Sequence, residues 1–176
     1  AVPIGKAAVF TLGTLTIYLA LSSPLHELSD NFLFSAHMVQ HLLLVMLIPP
    51  LLIWGTPGWL LDPLFRSHPL VKTVARKILS PLWAFIIFSS ILVVWHYPAL
   101  YDLALRQHGL HVLEHLLFMA AAVLMWWPVV GSLSDFPKPS YPVQIVYLFL
   151  LSLPPGFLGA AITFSEETLY PWYGEV

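Results

Sequence analysis

The stretch SAHMVQHLLLVMLIPPLL, residues 35 to 52, decides the fold class, because nearly all of it suits hydrocarbon rather than water. It belongs to an apolar run long enough to cross a bilayer as a helix, which takes about 20 residues. His37 and His41 lie four residues apart in it, so a helix places both rings on one face. Ionisable groups inside a membrane segment are costly and are functional by default. The stretch therefore predicts a membrane helix that carries a functional polar site.

The composition of the whole chain supports this prediction. The 176 residues are 59% hydrophobic and 9% charged, and the mean hydropathy is +0.82, whereas a soluble domain carries about 25% charged residues. The net charge of -2 gives no indication of nucleic-acid binding. Cysteine is absent, which excludes disulfides, iron–sulfur clusters and thiolate metal sites. Any metal must then be bound by His, Met, carboxylate or backbone oxygen.

Five apolar segments predict an all-α, polytopic membrane helix bundle with at least five transmembrane helices in a single integral membrane domain. The predicted spans are approximately residues 7–21, 32–54, 81–95, 110–130 and 142–164. Proline pairs inside the second and fifth spans predict kinks. The tryptophans fall near the span ends and are interpreted as an aromatic belt. The chain begins without Met, and we expect it to be part of a longer protein.

The basic residues predict the orientation, because cytoplasmic loops of membrane proteins are enriched in Lys and Arg. With five spans, one side receives Lys6, Arg66, Lys72, Arg76, Lys77 and Lys138. Only Arg106 falls on the other side. We therefore expect a cytoplasmic N-terminus in a multi-pass protein of the plasma membrane.

The histidines concentrate on the opposite, outer side. His111 and His115 in HVLEH repeat the i, i+4 spacing at a similar depth of the fourth span, and His96 in WHYPALYDLAL lies at the same level. If the second and fourth spans pack together, these rings converge, and an i, i+4 pair can chelate a metal ion. The predicted ligands are His37, His41, His96, His111 and His115, with Glu114 pairing with or orienting a ligand and Met38 as a soft ligand for cuprous ion. His26 and His108 are interpreted as surface residues, although His26 could cap the site.

Other interpretations of the histidines stay open at this point. Each ring could donate to a carbonyl of a neighbouring helix and serve packing alone. HVLEH matches the H-x-x-E-H pattern of some zinc peptidases, in which the Glu is the base; no substrate-binding strand accompanies it, and we expect no enzyme. Histidines on two helices can also ligate b-type haem, but the i, i+4 pairs suit a small ion better. Imidazole binds copper and zinc alike, so spacing does not select the metal.

Four motifs in order resemble the CtaG family of bacterial membrane proteins: SAHMVQHLLLVMLIPPLLIWGTP, WHYPALYDLAL, HVLEHLLFMAAAVLMWWPVVG and LPPGFLGAAITFSEETLYPWY. The type member is a cysteine-free assembly factor for haem–copper cytochrome c oxidase in Gram-positive bacteria. The resemblance runs from about Ser35 to Tyr173. It implies an all-helical membrane protein linked to maturation of the oxidase's copper centres. The predicted ligand histidines lie within these motifs.

The resemblance implies a copper-binding assembly factor with a His-rich site near the outer face of a bacterial cell membrane. It implies oxidase subunits as partners within the lipid bilayer, and self-association is a further possibility. Zinc and haem b are the alternatives to copper. A haem-binding or structural accessory subunit of a respiratory membrane complex is the alternative function.

Overall fold

The computed structural model describes residues 2–66, 68–131, 133, 135–136 and 138–175. Throughout these residues the regular structure is helical, with no strand. In chain order the helices are α1 (Ile4–Ser22), α2 (Pro24–Asn31), α3 (Phe34–Gly55), α4 (Gly58–Arg66), α5 (Pro69–Ile78), α6 (Pro81–Trp95), α7 (Pro98–Arg106), α8 (His108–Val130), α9 (Tyr141–Thr163) and the short α10 (Trp172–Glu175).

Four helices, α1, α3, α8 and α9, are long and apolar enough to cross a membrane. They correspond to the first, second, fourth and fifth predicted spans, which confirms an all-α, polytopic fold. The third predicted span is α6, whose 15 residues cover about 22 Å at 1.5 Å per residue, less than a hydrocarbon core of about 30 Å. It is preceded by α5 across a bend of 69°. The described residues thus contain four spans, or five if α5 and α6 form one bent span.

The proline pair in α3 shapes the helix that carries His37 and His41. A proline has no N–H, so Pro49 cannot donate to the carbonyl four residues earlier, which belongs to Val45. The helix widens into a π turn at Leu43–Leu47, as helices do where the regular ladder is interrupted. The indole Nε1 of Trp126 in α8 donates to the freed Val45 carbonyl at 2.9 Å. The interrupted ladder in α3 therefore leaves a carbonyl whose hydrogen bond to Trp126 ties α3 to α8.

The two ends of the bundle differ in charge. Lys6 at the start of α1 donates to the carbonyl of Thr56, just beyond the end of α3, at 3.4 Å, while His37 and His41 lie in the first half of α3. Similarly, Lys77 precedes α6 and His96 follows it. The structure thus separates the basic residues from the histidines along these helices. Which end faces the cytoplasm stays a prediction from the basic residues.

Small residues let α1 and α3 approach closely. A Cβ added at Gly55 would lie 2.5 Å from the backbone nitrogen of Phe10, a distance that no side chain tolerates.

At the histidine end, the short helices α2 and α7 cover the bundle. Pro24 and Pro98 begin these helices, where the missing N–H and the fixed φ of proline are favourable.

Candidate metal centre

The predicted metal site depends on whether the two HxxxH pairs meet, and the structure brings them together. The His37 ring centroid lies 4.2 Å from that of His41 and 5.4 Å from that of His111. The His115 ring lies 5.3 Å from His41 and 4.3 Å from His111. All four side chains are buried. Two helix faces with the same four-residue spacing therefore form one compact group of imidazoles.

These rings have nitrogen atoms that no protein group satisfies. Among the described residues, both ring nitrogens of His37 and of His41, and Nε2 of His111 and of His115, are buried without a hydrogen-bond partner. A buried polar atom left unpaired costs about 1–3 kcal/mol, and native proteins contain few of them. Neutral imidazole nitrogen is a good ligand for copper and zinc. The donor set therefore fits a metal ion.

Glu114 lies among these imidazoles. Its side chain is fully buried, both carboxylate oxygens lack a hydrogen-bond partner, and Oε1 is 3.8 Å from Nε2 of His41. The sequence placed Glu114 beside the ligands as a pairing group. The structure places its carboxylate where it could itself bind an ion.

Two sets of three residues have potential ligand atoms that all lie within 4.8 Å of one another. We call His37, His111 and His115 the imidazole triad. We call His37, His41 and Glu114 the carboxylate triad. His37 belongs to both.

Asp30 is a part of the site that the sequence analysis did not identify. Its Oδ2 lies 3.3 Å from Nδ1 of His111, and its Oδ1 lies 3.5 Å from Nδ1 of His26. Burial raises the pKa of Asp30, but the hydrogen bond and charge of His111, together with the charge of His26, outweigh burial and leave that pKa lowered. An ionised Asp30 keeps the proton of His111 on Nδ1, which leaves Nε2 as the ligand atom.

A buried network holds α2, and with it Asp30, over the cluster. Gln40, between the two histidines of α3, donates through Nε2 to the carbonyl of Ala20 at 2.8 Å. The hydroxyl of Ser29 in α2 lies 2.9 Å from Oε1 of Gln40. His26, also in α2, stacks on His111 at 6.1 Å between ring centroids. His26 thus covers the site, as the sequence allowed, and its side chain is 29% exposed.

His96 lies at the edge of the cluster. Its ring centroid is 6.0 Å from that of His41, and it belongs to neither triad. Its Nδ1 lies 2.8 Å from the carbonyl of Leu92, and since a carbonyl only accepts, Nδ1 carries the proton. The lone pair of a neutral His96 is then on Nε2. Its role as a ligand stays a prediction.

An apolar cavity of about 430 Å³ lies between α3, α6, α8 and α9 beside the cluster. His41 and His96 form its polar end, and Met38 and Met46 contribute thioethers to its wall. Met38 therefore lies beside the cluster, and its role as a cuprous ligand stays a prediction. The cavity gives the imidazoles an apolar flank, which strengthens electrostatic interactions within the site.

The segment before and within α10 closes the histidine end. The Tyr170 hydroxyl donates to the carbonyl of His96 at 3.1 Å. The Trp172 indole donates to the carbonyl of Asp30 at 2.7 Å, and the Tyr173 hydroxyl donates to the carbonyl of Ser29 at 2.8 Å. The aromatic-belt interpretation missed this contact of Trp172, because it is made across 142 residues of chain.

The fold and the site define a multi-pass helical membrane protein with a buried His-rich cluster at one end of its bundle. The family model described as cytochrome c oxidase caa3 assembly factor (Caa3_CtaG) matches residues 1–176. The chain belongs to this family, which confirms the resemblance seen in the four motifs.

Similar curated proteins include uncharacterized proteins from Mycobacterium bovis and Mycobacterium tuberculosis, each 24% identical over 99% of this chain. An uncharacterized protein from Mycobacterium leprae is similar at the same identity and coverage. This chain spans 30% of the length of each of these relatives. No solved structure matches the chain.

Proposed function

We propose that the protein binds copper at the His cluster as an assembly factor for haem–copper cytochrome c oxidase. The observation that carries this proposal is the set of buried imidazole nitrogens and carboxylate oxygens that lack any hydrogen-bond partner among the described residues. Packing alone accounts poorly for four such rings, because each unpaired atom is unfavourable. Copper is the cargo that the oxidase family suggests, and an oxidase subunit is the partner that would receive it.

In this proposal the ion binds among the donors of His37, His41, His111, His115 and Glu114, which form the two triads, and His96 and Met38 lie on its apolar side. Asp30 and His26 are partly exposed, with side chains 23% and 29% accessible, so they form the edge through which an ion reaches the buried ligands. The basic residues at the other end of the bundle support an outer position of this edge in the bacterial cell membrane, because cytoplasmic loops are enriched in Lys and Arg. In this proposal the site binds the ion and delivers it to a partner.

The test is metal analysis with an optical spectrum of the protein purified in mild detergent, beside a His37→Ala/His41→Ala variant. We expect about one equivalent of copper per chain after reconstitution, its loss in the variant, and no Soret band. A His108→Ala variant is the matched control, because His108 is exposed at the same end of α8. Absence of copper from the reconstituted wild-type protein would contradict the proposal.

Haem binding is the second candidate, and the cavity favours it. His41 lies in α3, His96 directly follows α6, and both line a cavity of about 430 Å³, so either could ligate a haem that lies there. The lining residues include no Lys or Arg to pair with haem propionates, which is why we rank copper first. A Soret band lost on His96→Ala would assign the protein to the haem class.

A further inference from the structure

The cluster has two halves with different donor atoms. The imidazole triad offers only imidazole nitrogens, whereas the carboxylate triad includes a carboxylate oxygen of Glu114. Uncompensated charge is costly in a buried site. A divalent ion is therefore better matched by the triad whose carboxylate can bind it deprotonated and balance part of its charge.

Ligand chemistry points the same way as charge. Sites built from imidazole alone accept a soft cuprous ion, while an added carboxylate favours harder, divalent ions. The environments of the two triads also differ: His111 contacts Asp30 near the surface, whereas His41 lies against Phe118, with ring centroids 4.8 Å apart. The two triads therefore differ in donor type and in position.

His37 links the two halves. Its ring stacks on that of His111 at an interplanar angle of 16° and meets that of His41 edge-on at 68°. Both of its ring nitrogens are buried and unpartnered among the described residues. His37 is the single residue that both triads need.

We propose that the cluster contains two alternative metal positions that share His37: cuprous ion occupies the imidazole triad, and a divalent ion occupies the carboxylate triad. One position is filled at a time, because both need His37 and a neutral imidazole has a single lone pair for a metal. The proposal rests on the proposed metal-binding function. It adds that an ion's charge and its preference for donor atoms select its position.

The experiment measures affinity for two probes: Cu⁺ under a reductant, and Zn²⁺ as a divalent ion without redox chemistry. Competition with chelators is measured on the detergent-purified wild-type protein and on two variants. Glu114→Gln should lower Zn²⁺ affinity at least tenfold and leave Cu⁺ affinity within about threefold. His111→Ala/His115→Ala should lower Cu⁺ affinity at least tenfold and spare Zn²⁺. His108→Ala should change neither.

Each variant provides its own folding control, because it should retain one of the two ions at full affinity. Equal loss of both ions from both variants, in protein that keeps the wild-type helix content and elution volume, would show a single shared site and overturn the inference while leaving metal binding intact. Failure of the wild-type protein to bind either ion would instead overturn the proposed function.

Discussion

The helices that carry the histidine pairs and the helices at the outside of the bundle meet the bilayer in different ways. In α3 and α8, 44% of the most apolar 18-residue window is buried inside the protein, whereas in α1 and α9 the share is 11%. The hydrophobicity of these helices is similar, so apolar content does not explain the difference. The difference follows the ionisable residues: α3 and α8 carry the cluster, while α1 has only Lys6 near its start and α9 has no charged residue.

This comparison explains why histidines are tolerated in segments built for lipid. In hydrocarbon a polar group must be satisfied within the protein. His37, Gln40, His41, His111, Glu114 and His115 are all buried between α3, α8 and the short helices that cover them. Among the described residues, the outer helices α1 and α9 supply no member of either triad, although the Ala20 carbonyl of α1 accepts a hydrogen bond from Gln40. The comparison predicts that substitutions in α3 and α8 have large effects on metal binding and stability, and that substitutions in α1 and α9 have small ones.

The largest effect is expected from His37→Ala. His37 belongs to both triads, so its loss removes one of three ligands from each. We expect affinity for both Cu⁺ and Zn²⁺ to fall at least about a hundredfold. This exceeds the effect of losing a residue that only hydrogen-bonds to a ligand. Competition with chelators measures this, beside His108→Ala. Retention of wild-type affinity for either ion would show that His37 is not the shared ligand.

Lowering the pH should also weaken metal binding. An ordinary imidazole has a pKa of about 6.5, and a protonated ring has no lone pair for a metal, so protons compete with the ion as pH falls. We expect affinity to be maintained above neutral pH and to fall below about pH 6. Titration of the metal-loaded protein from pH 8 to pH 5 measures it. Binding that does not depend on pH would argue against imidazole ligands.

Asp30→Asn tests the outer part of the site. Partners that orient a ligand histidine typically contribute about 10–100-fold to metal affinity, and Asp30 contacts Nδ1 of His111. We expect a loss in that range for Cu⁺, with a smaller loss for Zn²⁺, because His111 belongs to the imidazole triad alone. Glu27→Gln is the control, since Glu27 is exposed on the same helix. Equal effects of the two substitutions would assign Asp30 a general electrostatic role only.

Trp126→Phe tests the contact that holds α3 against α8. Without the indole, the Val45 carbonyl that Pro49 leaves free loses its partner, and an unsatisfied buried acceptor costs about 1–3 kcal/mol. We expect a lower thermal unfolding temperature in detergent. Trp54→Phe is the control, because the Trp54 side chain lies at the other end of α3 and is 57% exposed. Equal stability of both variants would mean that another group satisfies Val45.

The sequence predicted those parts of the site that depend on local periodicity. The i, i+4 spacing fixes two rings on one face of any helix, so the pairs His37–His41 and His111–His115 followed from the chain alone. Their convergence required α3 and α8 to pack, which the histidines suggested because buried polar groups need each other.

What the sequence did not predict depends on contacts between distant segments. Asp30 reaches His111 only because Gln40 and Ser29 dock α2 onto the bundle. Trp126 looked like an interfacial anchor, yet its indole bonds a carbonyl 81 residues away. The sequence analysis predicted the third span as α6 alone and did not predict that α5 precedes it across a bend of 69°. The bend lies next to Pro81, and proline begins helices more readily than it continues them.

The smallest effect is expected on the outer helix α9. Phe157 is 73% exposed, and a side chain already in contact with lipid or detergent loses no protein packing on truncation, so Phe157→Ala should change stability by less than about 0.5 kcal/mol. Phe118→Ala, which removes a side chain that is 1% exposed, should cost about 3–5 kcal/mol. Thermal unfolding of both variants measures the contrast. A Phe157→Ala effect approaching that of Phe118→Ala would mean that α9 is covered in the purified protein, and a lower oligomeric state of the variant would identify a second copy of the chain as the cover.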